Sequence, residues 1–380
     1  MGRCPLILGW PPPKWCFPNQ KLDTRTASKM ATTGMRPRGT ILITGLNGYL
    51  AGRTAEIFLR HGYRVRGTVR NKPTGERVKE ALCTVGYCAD DIEVIHIPDI
   101  CELGPLEVAA TGCCAILHLA SPIRDIWRLP PSEVVQTAVE SVKSVLNAAA
   151  RAGDAIKSVV LVSSAAALFD TPLEARLYNE KDWNTASEGI VKREGKDAGG
   201  FHAYLASKTA AEKLFWKYRE THRPPFAMTA LQPTYIIGVP LIAWETPTAI
   251  PYSIINIWKV VADEEVPGPT IVYEDTIDVE DVARMMVWSV SNPAKADGER
   301  FVCSSAVGGG QAIADIIARC MPLLKIQRGS PKQGYSPDYK PRAGVGGFDS
   351  SKAVAVTGQD WIPYEESVVN LAKFLTQYLA

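Results

Sequence analysis

The sequence lacks a run of about 20 apolar residues, which excludes a membrane-spanning helix. It lacks a CxxC pair among its nine cysteines, and nine is an odd number. Both facts argue against a metal centre or a disulfide framework and for a reduced, cytoplasmic compartment. It lacks an excess of either charge. Lys and Arg number 42 against 40 Asp and Glu, so no electrostatic footprint for nucleic acid is present. It lacks a secretory core, since Leu6-Ile7-Leu8 is too short. Internal repeats and long low-complexity stretches are also missing. What remains is 380 residues, 46% hydrophobic and 22% charged, as in a globular chain of roughly two domains. A core of that size needs no disulfide staples.

The charge balance hides an asymmetry. Residues 1–38 hold seven basic residues and one acid, Asp23, together with Pro11-Pro12-Pro13. Residues 39–380 are left with 35 basic against 39 acidic residues. The prolines break any amphipathic helix in the first segment, which reads as a disordered basic tail. From Thr40 onward, strands and helices alternate. Strands are expected at 41–43, 63–69, 92–97, 115–119, 159–162 and 226–231. Helices are expected at 49–59, 75–82, 132–151 and 204–221. Such alternation predicts βαβ units, and hence a doubly wound parallel sheet, an α/β fold of the Rossmann kind. After Gln232 the alternation weakens. Residues 233–275 are rich in Pro and aromatics. A helix starts at Asp278, a strand covers 300–303, helices cover 311–320 and 364–379, and 328–349 reads as loop.

Thr44-Gly45-Leu46-Asn47-Gly48-Tyr49-Leu50-Ala51 has the GxxGxxA spacing at the first strand-to-helix junction. Gly45 permits the tight turn, Gly48 lets the backbone approach a pyrophosphate, and Ala51 permits close helix–strand packing. Asn47, Tyr49 and Leu50 stand in the same turn, and the helix start offers N–H groups to phosphate. The second strand ends Gly67-Thr68-Val69-Arg70-Asn71-Lys72. An acid there would bind an NAD ribose. Arg70 instead suits a 2′-phosphate, so NADPH is expected. Asp99 and Ile100, after the third strand, are placed near the adenine.

Tyr204 and Lys208 are four residues apart on a helix and share a face. An ammonium beside a phenol stabilises the phenolate, and the phenol can then protonate a carbonyl. Ser164 ends a parallel strand, at the edge where ligands bind in such sheets. Its hydroxyl suits a carbonyl oxygen gaining negative charge.

Turn, arginine, serine and Tyr/Lys, in this order, resemble the short-chain dehydrogenase/reductase superfamily. The extended subgroup is the nearest likeness: NADPH-dependent ketone and aldehyde reductases related to dihydroflavonol reductase, cinnamoyl-CoA reductase and fungal methylglyoxal/ketone reductases. His118-Leu119-Ala120-Ser121-Pro122, Leu231-Gln232-Pro233-Thr234-Tyr235, the stretch 277–283 and Phe348-Asp349-Ser350-Ser351-Lys352 carry the same resemblance, over residues 39–380. The resemblance implies a Ser164–Tyr204–Lys208 triad. It implies that Leu119, Ala120 and Ser121 line the cofactor and that Pro233 borders the nicotinamide. It places Ile123, Phe169 and Tyr235 in the substrate pocket, where Ile123 and Ala165 suggest an aliphatic, roomy wall. Residues 39–235, with 276–303 returning, are expected to form the NADP domain. Residues 236–275 and 304–380 are expected to form a substrate lobe. The implied activity is reduction of a ketone or aldehyde by a monomer or homodimer, within secondary metabolism by analogy. Two rival readings are a sugar-nucleotide epimerase/dehydratase or 3-hydroxysteroid-type dehydrogenase, and a non-catalytic NADP-binding regulator.

Overall fold

The run Thr40–Thr44 shows why a parallel sheet forms here. Ile41 and Ile43 point to one face and Leu42 to the other, and all three are fully buried. A strand apolar on both faces must be covered on both. The computed structural model describes residues 37–121, 127–268, 274–331 and 346–379. Residues 1–36 of the tail expected over 1–38, and Ile123, expected in the substrate pocket, lie outside these.

In chain order, β1 (Thr40–Thr44), α1 (Tyr49–Arg60), β2 (Arg64–Val69), α2 (Lys72–Thr84), β3 (Ile92–His96), α3 (Leu103–Ala110), β4 (Cys113–His118), α4 (Pro131–Ala152) and β5 (Ser158–Val162) build the first part. Then come β6 (Leu177–Tyr178), α5 (Ser187–Glu194), α6 (Gly199–His222), β7 (Ala227–Pro233), β8 (Tyr235–Ile237) and α7 (Ile255–Val261). The chain ends with β9 (Asp275–Asp278), α8 (Val279–Ser291), β10 (Glu299–Cys303), β11 (Ala306–Val307), α9 (Gly310–Cys320), β12 (Gly347–Phe348), α10 (Ser351–Thr357) and α11 (Tyr364–Leu375).

Seven strands form one sheet in the order β3-β2-β1-β4-β5-β7-β10, every neighbouring pair parallel. The order reverses at β1, which pairs with β2 on one side and β4 on the other. This is the doubly wound arrangement with its switch point between β1 and β4. Helices α1 and α8 cover the Ile41/Ile43 face, and α3, α4 and α6 the Leu42 face. A third core joins α7, α9 and α11 through Trp258, Ile313, Ile317 and Leu371. Beside it, β8, β9 and β11 make a small sheet. Asp278 ends β9 and caps α8, its Oδ1 accepting from the backbone N–H of Glu280 at 2.8 Å.

Among the described residues, four helices of seven residues or more escape sequence periodicity. α3 contains Gly104-Pro105, which reads as a turn, yet it buries Leu106, Ala109 and Ala110. α5 is polar and keeps only Ser187 and Val191 buried. α7 is apolar on most sides within a proline-rich stretch. α10 is seven residues long. The segment expected as loop over 328–349 contains β12, which pairs in parallel with β6. Among the described residues, no helix is long and apolar enough to cross a membrane, and no cluster of three or more His, Cys, Asp or Glu could hold a metal.

Candidate active site

The turn after β1 is shaped by one glycine. Gly45 has φ +72°, the left-handed region that favours glycine, and a Cβ there would lie 3.3 Å from the Cα of Ala120. The turn is tied to β2 by Leu46 N–H, which donates to the Thr68 carbonyl at 2.9 Å, and closed by Gly48 N–H on the Gly45 carbonyl at 2.8 Å. Asn47 is exposed; Tyr49 and Leu50 are half-buried. α1 starts with no side-chain cap and no acid in its first turn, so its leading N–H groups and positive dipole end face no competing carboxylate. Tyr49 faces the third core: its hydroxyl donates to the Gly238 carbonyl at 2.6 Å and its ring meets Trp244 edge-on at 5.8 Å.

A residue missed in the sequence, Thr44, fastens the two sides of the switch point. Its Oγ1 accepts from the N–H groups of Leu119 and Ala120, both at 3.0 Å, and donates to Nδ1 of His118 at 2.9 Å. Nε2 of His118 lies 3.3 Å from Ser141 Oγ, whose hydroxyl donates to the Ala138 carbonyl at 2.9 Å. Ser141 has spent its proton, so Nε2 carries the hydrogen. Burial, helped by the Lys208 charge, pulls the His118 pKa down to about 3, so the ring is neutral. His118 is a structural strut.

Arg70 is exposed directly after β2, with Lys72 opening α2 and no acid between Gly67 and Lys72. Asp99 accepts from Cys101 N–H at 2.9 Å and holds the turn that carries the half-buried Ile100. Leu119, Ala120 and Ser121 leave β4 beside Gly45, and Pro233 ends β7 fully inside the sheet.

Of the three residues expected to act together, Ser164 and Tyr204 meet directly. Tyr204 donates to Ser164 Oγ at 3.1 Å. Ser164 Oγ also accepts from Ala166 N–H at 3.1 Å, which fixes the rotamer and leaves the serine proton available. Lys208, one turn along α6, donates from Nζ to the Val162 carbonyl at 3.2 Å. Its pKa falls to about 8, because burial disfavours the ammonium, while the charge of Glu212 acts the other way. The phenol departs from the sequence expectation. Burial raises the Tyr204 pKa and the Ser164 hydrogen bond lowers it by less, so the net shift is upward. The physical reason is desolvation: in this structure the lysine is spent on a backbone carbonyl. A raised phenol is protonated at neutral pH, as a proton donor must be. A cavity of about 20 Å³, room for one water, adjoins Lys208, His118, Ser121, Ser141 and Ser163.

Of the substrate residues, Tyr235 is half-buried with its ring 6.2 Å from that of Tyr252. Its pKa is raised by burial and then by Tyr252 and Tyr204. Phe169 does not face an opening. It is 1% exposed and packs edge-on against Tyr178 and Phe348. Ala165 is fully buried in the same cluster. The sequence reading also missed Glu212. Its position eight residues after Tyr204, on the same helix face, was the available signal.

A profile of the NAD dependent epimerase/dehydratase family matches residues 41–304. The chain is 28% identical over 335 residues to the ketoreductase sphI of Aspergillus fumigatus, covering 86% of this chain and 95% of that protein. It is 26% identical over 310 residues to the NADPH-dependent methylglyoxal reductase GRE2 of Saccharomyces cerevisiae, covering 78% of this chain and 87% of the other. The crystal structure of the yeast methylglyoxal/isovaleraldehyde reductase Gre2 complexed with NADPH superposes with a TM-score of 0.75 at 24% identity, over 89% of this chain and 98% of that one. This last likeness is one of fold.

Proposed function

This chain belongs to the NAD dependent epimerase/dehydratase family, and we propose that it is an NADPH-dependent reductase of a small-molecule ketone or aldehyde, with Ser164, Tyr204 and Lys208 as its catalytic set. The observation that carries this reading is the Tyr204–Ser164 hydrogen bond at 3.1 Å, with Lys208 one turn away, at the carboxyl edge of the sheet.

The residues present fit a dinucleotide. Gly45 keeps open a space beside Ala120 that a Cβ would fill, and α1 presents an uncapped start free of acids. Gly45, Asn47, Gly48, Tyr49 and Leu50 would hold the pyrophosphate and Arg70 the 2′-phosphate. Asp99 and Ile100 would border the adenine, and Leu119, Ala120, Ser121 and Pro233 the nicotinamide side. When bound, NADPH supplies hydride to the carbonyl carbon. The Tyr204 and Ser164 hydroxyls lie within one hydrogen bond of each other, so a carbonyl oxygen entering there would accept from both, and those bonds would strengthen as it gains charge. Tyr204, protonated and desolvated, gives its proton to that oxygen. Lys208, cationic below about pH 8, stabilises the phenolate that remains. Tyr235 borders the substrate.

Arg70 favours this reading over an NAD-retaining epimerase or dehydratase, and the retained tyrosine and lysine favour it over a regulator. The test is consumption of NADPH against NADH by the purified chain, over a panel of aldehydes, diketones and β-keto compounds. NADPH-dependent turnover with at least one of them is expected. Preference for NADH, or no turnover across the panel, contradicts the proposal.

A further inference from the structure

Behind the triad lies a buried ion pair that the proposed chemistry does not use. Glu212 is fully buried on α6, one turn after Lys208. Its Oε1 accepts from Arg300 Nε at 2.7 Å, from Gln232 Nε2 at 2.7 Å and from Trp216 Nε1 at 3.2 Å. Its Oε2 accepts from the hydroxyl of Ser163. Arg300 and Glu212 thus form a buried ion pair. Arg300 is tied down in turn. It donates from Nη1 to the carbonyls of Glu180 and Asp182, at 2.5 and 2.8 Å, and its guanidinium stacks on Trp183 at 3.8 Å.

Stability alone does not account for such a cluster. An apolar pair of similar volume commonly serves as well as a buried ion pair. Two buried atoms of this cluster, Gln232 Oε1 and Arg300 Nη2, have no hydrogen-bond partner among the described residues. Its place is informative. Ser163 is the residue before Ser164 on the end of β5. The groups around Lys208 are the neutral His118 from β4, Ser163 from β5 and Glu212 from α6. Glu212 is the one anion among them, and Arg300 of β10 is the cation that faces it.

We propose that Glu212 is a positioning residue for the Ser164–Tyr204–Lys208 set. It holds the end of β5 through the Ser163 hydroxyl and keeps a negative charge one helical turn from the Lys208 ammonium. Arg300 fixes that charge and ties it to the segment 180–183. This inference rests on the catalytic reading above.

The experiment is a pH profile of kcat and of the NADPH KM for the full chain. The probe is the panel compound that the wild type reduces fastest. Four forms are compared: wild type, Glu212→Gln, Ser163→Ala, and Glu212→Gln combined with Arg300→Met. Glu212→Gln is expected to lower kcat roughly 10- to 100-fold through misplacement, with the NADPH KM nearly unchanged. Its alkaline limb should move down by about one pH unit, because a nearby carboxylate no longer favours the ammonium. Ser163→Ala should lower kcat and leave the limb in place. The double variant carries no unpaired buried charge, so it decides the matter if Glu212→Gln fails to fold, and its limb should stay displaced. A wild-type limb in the double variant, or wild-type kcat in Ser163→Ala, overturns the proposal. Full turnover by a Tyr204→Phe chain overturns the catalytic reading itself, whatever Glu212 does.

Discussion

Asp275 shows how far a single side chain can depart from its solution behaviour. It is 2% exposed, and its Oδ2 has no hydrogen-bond partner among the described residues. Oδ1 accepts long bonds from Phe348 N–H at 3.3 Å and Ser304 Oγ at 3.4 Å. Burial therefore pushes its pKa up to about 7. Between the unfolded value near 3.8 and about 7, the folded chain holds a proton that the unfolded chain has lost. Stability from this group falls as pH rises through that window, by at most about 1.4 kcal/mol per pH unit. Asp275→Asn keeps the shape without the charge. Its melting temperature should gain on that of the wild type from pH 5 to pH 8. A difference that does not change with pH would show that Asp275 is ionised in the folded chain. The same scale explains the triad's inversion of expectation. Tyr204 and Lys208 share a helix face as their spacing requires, but burial sets the direction of each shift, up for the phenol and down for the ammonium.

At the scale of elements, the turn between β1 and α1 is the most constrained. Gly45→Val puts a β-branched side chain at φ +72°, against the backbone of Ala120. The strain is on the order of 1–3 kcal/mol, and the space for a pyrophosphate closes. NADPH affinity measured by fluorescence titration should fall at least tenfold; unchanged affinity would show that the turn does not cradle the cofactor. This turn was legible in the sequence because its chemistry is local: two glycines, a strand before and a helix after. Tyr204 and Lys208 were legible for the same reason, since helical spacing fixes a shared face. Long-range partners were not. Glu212 meets Arg300 across 88 residues, and Thr44 meets His118 across 74. Strand order, set by burial of β4, β5, β7 and β10, brings them together. Phe169, which the resemblance places in the substrate pocket, packs against Tyr178 of β6 and, more than 170 residues along the chain, Phe348 of β12, a contact that the local sequence does not display. Helix α3 was missed because Gly104-Pro105 mimics a turn at its start.

At the scale of the molecule, charge sharpens the cofactor argument. Residues 39–380 carry 35 basic and 39 acidic residues, so no broad positive field draws a phosphate. Attraction must be local, at Arg70 and the start of α1. Replacing one charge-assisted clamp costs about 1.5–3 kcal/mol, or roughly 10- to 150-fold. Arg70→Ser should therefore raise the NADPH KM by that order and leave the NADH KM nearly unchanged. Equal effects on both cofactors would remove Arg70 from the 2′-phosphate. The third core is joined to the turn after β1 by the hydrogen bond from Tyr49 to Gly238.

In the proposed reaction Tyr204 supplies the proton to the carbonyl oxygen. The most direct test of this role is Tyr204→Phe, with NADPH oxidation and NADPH binding measured on one preparation. The aromatic ring and the fold stay, and only the hydroxyl that meets Ser164 is lost. Turnover should fall by about 10²–10⁴-fold while NADPH binds as in the wild type. Undiminished turnover with intact binding would contradict the account.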